Sequence, residues 1–113
     1  MRKVLIIEDE IEIGLLLSVA IKRKGFDVSV SDNLKRGHEL FDIVHPDILI
    51  LDIHFPDGNG IEHIRWFKHE NSKLKIIMIS AYDTLQDRQK AFEEGADEFL
   101  SKPFDLNKLN QLL

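Results

Sequence analysis

The sequence predicts an α/β domain of the doubly wound kind, a five-stranded parallel sheet with helices on both faces. Three observations carry this. Short β-rich runs alternate with helical patterns along the whole chain, giving five βα units. Several of the strand-like runs are apolar throughout, as in strands covered on both faces. Turn and stop residues (Gly25, Pro46, the 56–60 cluster, Gly95) punctuate the units. Parallel strands joined through helices imply right-handed crossovers.

The first strand is Val4 to Ile7. The helix after it shows Ile13, Leu16, Leu17, Ala20 and Ile21 at i, i+3, i+4, i+7 and i+8. Lys22, Arg23 and Lys24 fall in its last turn, where cations suit the dipole, and Gly25 closes it. Phe26 to Val30 alternates, as a strand with one less buried face does. Leu34, Gly37, Leu40, Phe41 and Val44 form the second helical stripe, capped by Asp32 or Asn33 and stopped by Pro46. Ile48 to Leu51 is the third strand and ends at Asp52. The turn cluster Pro56-Asp57-Gly58-Asn59-Gly60 leads to a third helix begun by Ile61, Ile64 and Phe67. Lys75 to Ile79 is the fourth strand and ends at Ser80. A polar helix follows from about Asp83 to Glu94 and stops at Gly95. Glu98 to Ser101 is the last strand, ending at Lys102, and Asp105 caps a short final helix.

Composition limits the function. A chain of 113 residues suits one domain over residues 1–113, able to hold a core without staples. A net charge of -5 argues against a basic nucleic-acid footprint, and the lack of cysteine excludes disulfides and thiolate metal sites. Met1-Arg2-Lys3 before an apolar run has the polarity of a signal peptide, but Glu8-Asp9-Glu10 ends that run too early. No stretch reaches the roughly 20 apolar residues of a membrane span. The expectation is a cytoplasmic protein, and the short final helix suits a domain excised from a longer one.

The chemistry lies at the strand ends. In open α/β sheets, ligands bind beyond the C-terminal ends of the strands, at the topological switch point. The first strand ends on Glu8-Asp9, the third on Asp52, the fourth on Ser80 and the fifth on Lys102. Each is unremarkable alone, because an acid after a strand is usually just solvated. Together they bring carboxylates, a hydroxyl and an ammonium to one edge. Clustered carboxylates repel unless a cation compensates, and with no thiolate to hand a hard ion such as Mg²⁺ suits them. Asp9 and Asp52 are the candidate direct ligands, with Glu8 acting through water. Metal and Lys102 would neutralise phosphoryl oxygens in a transition state, with Ser80 donating a hydrogen bond. A carboxylate is itself a competent nucleophile, which makes Asp52 the candidate acceptor of an aspartyl-phosphate.

Six segments, in order, resemble the receiver domain of two-component response regulators. They are Val4 to Glu10, Pro46 to Asp52, Pro56 to Gly60, Ser80 to Asp83, Gly95 to Asp97 and Ser101 to Phe104. The resemblance implies a flavodoxin-like (βα)5 fold with strand order 2-1-3-4-5. It implies that Asp52 takes a phosphoryl group from a histidine kinase, a phosphotransfer protein or a small donor. Mg²⁺ would sit on Asp9, Asp52 and the backbone carbonyl of His54, with Glu8 assisting. Ser80 would move toward the phosphoryl group, Lys102 would pair with it, and Phe99 would be the aromatic switch. The Lys102-Pro103 bond would be cis. Glu8 and Ser80 stand where Asp and Thr are commoner in the family.

Other residues admit two readings. His54 is either a ring ligand or a loop residue offering its carbonyl. His54 and Tyr82, two residues after Asp52 and Ser80, are expected to tune phosphoryl hydrolysis. The apolar row Ile11, Leu15 and Val19 on the first helix either packs on the last helix or docks the kinase. Asp87, Arg88, Lys90, Glu93, Asp97, Glu98 and Lys108 form either a merely solvated charged face or a phosphorylation-dependent homodimer contact. The resemblance implies that phosphorylation changes the face formed by the fourth helix, fifth strand and fifth helix, and leaves open whether an effector domain follows. The rivals are a haloacid-dehalogenase phosphatase, a flavin-binding module and a receiver-like module that is never phosphorylated. The first would want a second Asp where His54 stands. The second would want a phosphate-cradling loop where Glu8-Asp9-Glu10 stands, and the intact acid pair, acceptor and lysine argue against the third.

Overall fold

A computed structural model describes residues 2–81 and 84–113. Five parallel strands, β1 (Lys3–Ile7), β2 (Asp27–Ser31), β3 (Ile48–Asp52), β4 (Lys75–Ser80) and β5 (Glu98–Ser101), pair in the order β2-β1-β3-β4-β5. The helices are α1 (Ile11–Lys22), α2 (Leu34–Val44), α3 (Ile61–Glu70), α4 (Leu85–Glu94) and α5 (Leu106–Leu112). The doubly wound architecture and strand order expected from the sequence are those observed.

The apolar strands divide their side chains between two cores. Leu5, Ile7, Leu49, Leu51, Ile76 and Met78 pack with α2, α3 and α4 on one face. Val4, Ile6, Ile48, Ile50, Ile77 and Ile79 pack with α1 and α5 on the other. The side-chain period of two sends alternate residues to opposite faces, so a strand covered on both sides must be apolar throughout. β2 lies at the edge and is correspondingly mixed, with Val30 exposed.

Local signals act as expected in most places. Asn33, not Asp32, caps α2 by accepting from the Arg36 amide at 2.8 Å. His45, just before Pro46, takes the left-handed conformation that ends α2. Thr84 caps α4 and Asp105 caps α5 through side-chain oxygens. Gly95, at φ +121, ends α4. The Lys102-Pro103 bond is cis.

The face of α1 is corrected. Its buried residues are Gly14, Leu17, Ser18 and Ile21, while Leu16, expected on the core face, is 52% exposed. The small side chains decide the matter. A Cβ on Gly14 would already come within 3.3 Å of Val30, so the helix lies close against the sheet along its Gly-Ser row. The 56–60 cluster also holds more order than a turn: His54–Phe55 pairs antiparallel with Gly58–Asn59 in a short hairpin.

Candidate functional site

The C-terminal edge of the sheet is where β1 and β3 lie side by side while their following helices pass to opposite faces. This is the switch point at which such folds place ligands. β1 delivers Glu8, Asp9 and Glu10 there, and β3 ends on Asp52. Glu8 and Asp52 are buried, Asp9 is half-buried and Glu10 is exposed. Lys102 follows β5, and its amide donates to the Ser80 carbonyl at 2.8 Å, which ties the ends of β4 and β5 together.

The ammonium of Lys102 gathers the acids. Its Nζ donates to Glu8 Oε1 at 2.6 Å, to Asp52 Oδ2 at 3.0 Å and to Glu10 Oε1 at 3.1 Å. Asp52 is held from its other oxygen by the Ile53 amide, at 2.7 Å. An open cleft of about 130 Å³ lies over these groups, lined by Asp9, Glu10, Asp52, His54, Ala81 and Lys102.

One cation faces four carboxylates, and the titration behaviour follows. Burial, and then the neighbouring Asp52, push the Glu8 carboxyl up to about 8, against the pull of Lys102. Burial and Asp52 also raise Asp9. For Lys102, burial opposes the charged form, but hydrogen bonds to Glu8 and Asp52 outweigh it and hold its pKa above the usual lysine value.

The edge fits a hard divalent cation. Oxygens of Glu8, Asp9, Glu10 and Asp52 lie within 4.8 Å of one another. Glu8 Oε2 is buried with no hydrogen-bond partner, an acceptor left over after Lys102 has been satisfied. An all-oxygen donor set of this kind suits Mg²⁺ or Ca²⁺ rather than softer ions.

The structure brings together the predicted Glu8, Asp9, Asp52 and Lys102. Ser80 is fully buried at the adjoining end of β4. His54 is exposed at the rim of the cleft. Tyr82 lies outside the described residues. Phe99 is half-buried on β5 and packs against the core. The Arg88 guanidinium lies 4.8 Å over its ring and also donates to Ser101 Oγ at 3.0 Å. Ile11, Leu15 and Val19 are exposed (67%, 61% and 49%) rather than packed on α5. Asp97 leaves the expected charged face, since it accepts from Lys68 Nζ at 2.7 Å and from the Ile76 amide at 2.8 Å.

Two members escaped the sequence reading. Glu10 was legible only as the third acid of a run, and the direct bond from Lys102 gives it a place. Gly60 is the other. Its amide donates to the Ile53 carbonyl at 2.6 Å, and a Cβ there would stand 2.0 Å from the Asp52 carbonyl oxygen. Only glycine allows the chain to pass so close behind Asp52.

His54 stands where a haloacid-dehalogenase phosphatase would carry its second acid. The chain belongs to the response regulator receiver domain family, which matches it over residues 4–113. It is a phospho-switch signalling domain with an acidic pocket. The KDP operon transcriptional regulatory protein KdpE of Escherichia coli K12 is 39% identical over 113 residues, covering 100% of this chain and 50% of the relative. The N-terminal domain of a Wolinella succinogenes protein is 32% identical with TM-score 0.90, covering 98% of this chain and 90% of that one. A Burkholderia pseudomallei response regulator, solved with a phosphorylated aspartic acid, calcium ion and citrate, shares the fold at TM-score 0.94 and 20% identity, covering 100% of this chain and 66% of that one. The chain spans 24% of the regulatory protein AtoC and 47% of the regulator CusR, both of E. coli K12. No helix among the described residues is long and apolar enough to cross a membrane.

Proposed function

We propose that Asp52 is the phosphoryl acceptor, charged by the phosphohistidine of a sensor histidine kinase or phosphotransfer protein, or by acetyl phosphate. The observation that carries this is the Lys102 ammonium seated between Asp52 and Glu8 inside an otherwise acidic, half-closed edge. An Asp52 carboxylate oxygen attacks phosphorus, the bond to the donor nitrogen or oxygen breaks, and its electron pair leaves with the donor. The Burkholderia response regulator, solved with a phosphorylated aspartic acid and a calcium ion, supports an aspartyl-phosphate on this fold.

Asp9, Asp52 and the His54 carbonyl are assigned as Mg²⁺ ligands, with Glu8 acting through water. The ion would supply positive charge against the phosphoryl oxygens. Lys102 already contacts Asp52 and needs little displacement to reach an oxygen added there. Ser80 would donate to another. Phe99 and the α4-β5-α5 face then report the change to a partner, which for a cytoplasmic regulator would be an appended effector domain or a second copy of the chain. His54 and Tyr82 tune hydrolysis, and Ile11, Leu15 and Val19 dock the kinase.

Mg²⁺-dependent labelling by acetyl phosphate tests the assignment. Wild type is expected to take up one phosphoryl group and Asp52→Asn none. Equal labelling of the two overturns it.

A further inference from the structure

A second polar constellation lies away from the acidic edge, on the flank shared by α2 and α3. His38 Nε2 and His63 Nδ1 are 2.8 Å apart, one from each helix. Aromatic rings surround them. His38 stacks on Phe67 at 4.6 Å and meets Trp66 edge-on at 4.5 Å, while Phe41 and Trp66 close the group at 5.7 Å. Both imidazoles are half-buried. Phosphoryl transfer at Asp52 has no use for this pair.

We propose that His38 and His63 form a two-histidine site for a divalent transition-metal ion of tetragonal preference, Cu²⁺ or Ni²⁺, bridging α2 to α3. Two imidazole nitrogens with a carboxylate nearby make an N,O donor set, which suits Cu²⁺ and Ni²⁺. Imidazole nitrogen suits these ions, and the hard Mg²⁺ of the acidic edge would not compete for it. Each ring must turn its lone pair from its neighbour onto a common point. The proton now shared between the rings moves to the outer nitrogen of its own ring, so both ligands remain neutral imidazoles. Asp42, exposed one turn along from His38 at i+4, offers a carboxylate on the same side of the helix.

The single Trp of the chain supplies the readout, because a paramagnetic ion on His38 would sit beside Trp66 and quench it. Cu²⁺ is titrated into the protein in excess Mg²⁺, with Trp fluorescence followed in wild type, His38→Gln, His63→Gln and His69→Gln. The expected result is saturable quenching at one ion per chain, reversed by EDTA. Its apparent affinity falls roughly tenfold or more in either pair variant and stays unchanged in His69→Gln. Absence of saturable quenching in wild type overturns the proposal, as does unchanged affinity in both pair variants or loss of quenching in His69→Gln. Should the glutamine variants fail to fold, imidazole NMR of the wild type decides. Sub-stoichiometric Cu²⁺ must broaden His38 and His63 before the other histidines, and any other order overturns the site.

Discussion

Glu8 is where the electrostatics of the edge become measurable as stability. Its carboxyl titrates at about 8 in the fold against 4.5 in the unfolded chain, because it is buried and lies beside Asp52. Between these values the folded state keeps a proton that the unfolded state has released. Stability therefore falls as pH rises through the window, by about 1.4 kcal/mol per unit. His38 opposes this at the acid end. Burial and His63 lower its pKa from 6.5, so acid below that value favours the unfolded chain. The two slopes cancel in part below pH 6.5, and above it the Glu8 slope stands clear. From pH 6.5 to pH 8 the loss comes to roughly 1.5–2 kcal/mol.

Urea unfolding in EDTA at those two pH values measures it. With a slope of about 1–3 kcal/mol per molar urea, the wild-type midpoint drops by roughly 1 M. Glu8→Gln keeps the shape and removes the titration, so most of the drop disappears. Asp9 is raised too, by burial and by Asp52, and lowers stability with the same sign above its unfolded value of 3.8. Excess Mg²⁺ favours the ionised cluster and flattens the wild-type slope. A drop of the same size in Glu8→Gln and wild type would refute the reasoning, since it would locate the proton elsewhere.

Gly60→Ala puts a methyl 2.0 Å from the Asp52 carbonyl oxygen, and the backbone must yield. It is expected to lower stability by about 1–3 kcal/mol, read by urea unfolding, and to slow acetyl phosphate labelling. Lys102→Met strips the ammonium from three carboxylates. Labelling is expected to vanish, and the loss of stability to be larger at pH 8, where Glu8 is ionised, than at pH 6.5, which paired urea curves will show. Glu10→Gln removes only the exposed partner of Lys102, and its effect on stability is expected to stay within about 1 kcal/mol. Leu15→Asp is expected to cut phosphotransfer from the cognate kinase while sparing acetyl phosphate labelling. Equal loss in both assays would point to damage to the fold.

The fold was legible because burial on both faces leaves an unusual trace, a continuous apolar run, and β1, β3 and β4 all carry it. Strand ends were legible for the same reason, since Glu8, Asp52 and Ser80 each interrupt such a run. The site follows from those ends once the sheet is known to be parallel. α1 resisted because Ile11, Ile13, Leu15, Leu16, Leu17, Val19 and Ile21 leave it apolar nearly all round. Period alone cannot then choose a face, and the choice fell to Gly14 and Ser18, whose smallness matters only against a sheet already in place. Gly60 was hidden likewise, because its close approach to Asp52 is a property of the assembled loop.

Glu10 marks a different limit. Its exposed carboxylate meets Lys102 across 92 residues of sequence, and a run of three acids carries no sign of which one the lysine will choose. The structure shows that it takes three: Glu8 nearest, then Asp52, then Glu10. An ammonium with three acceptors can give up one and keep the others. Lys102 can therefore follow an oxygen added at Asp52 and still keep Glu8, whose carboxylate, once ionised, would cost several kcal/mol to leave buried and unpaired. The extra acid keeps the lysine mobile between partners at little energetic cost. On this argument, Glu10→Gln spares stability yet slows the response of Lys102 to a charge placed on Asp52. Beryllofluoride titrations of the two proteins measure that response, and identical affinities would show Glu10 to be a bystander.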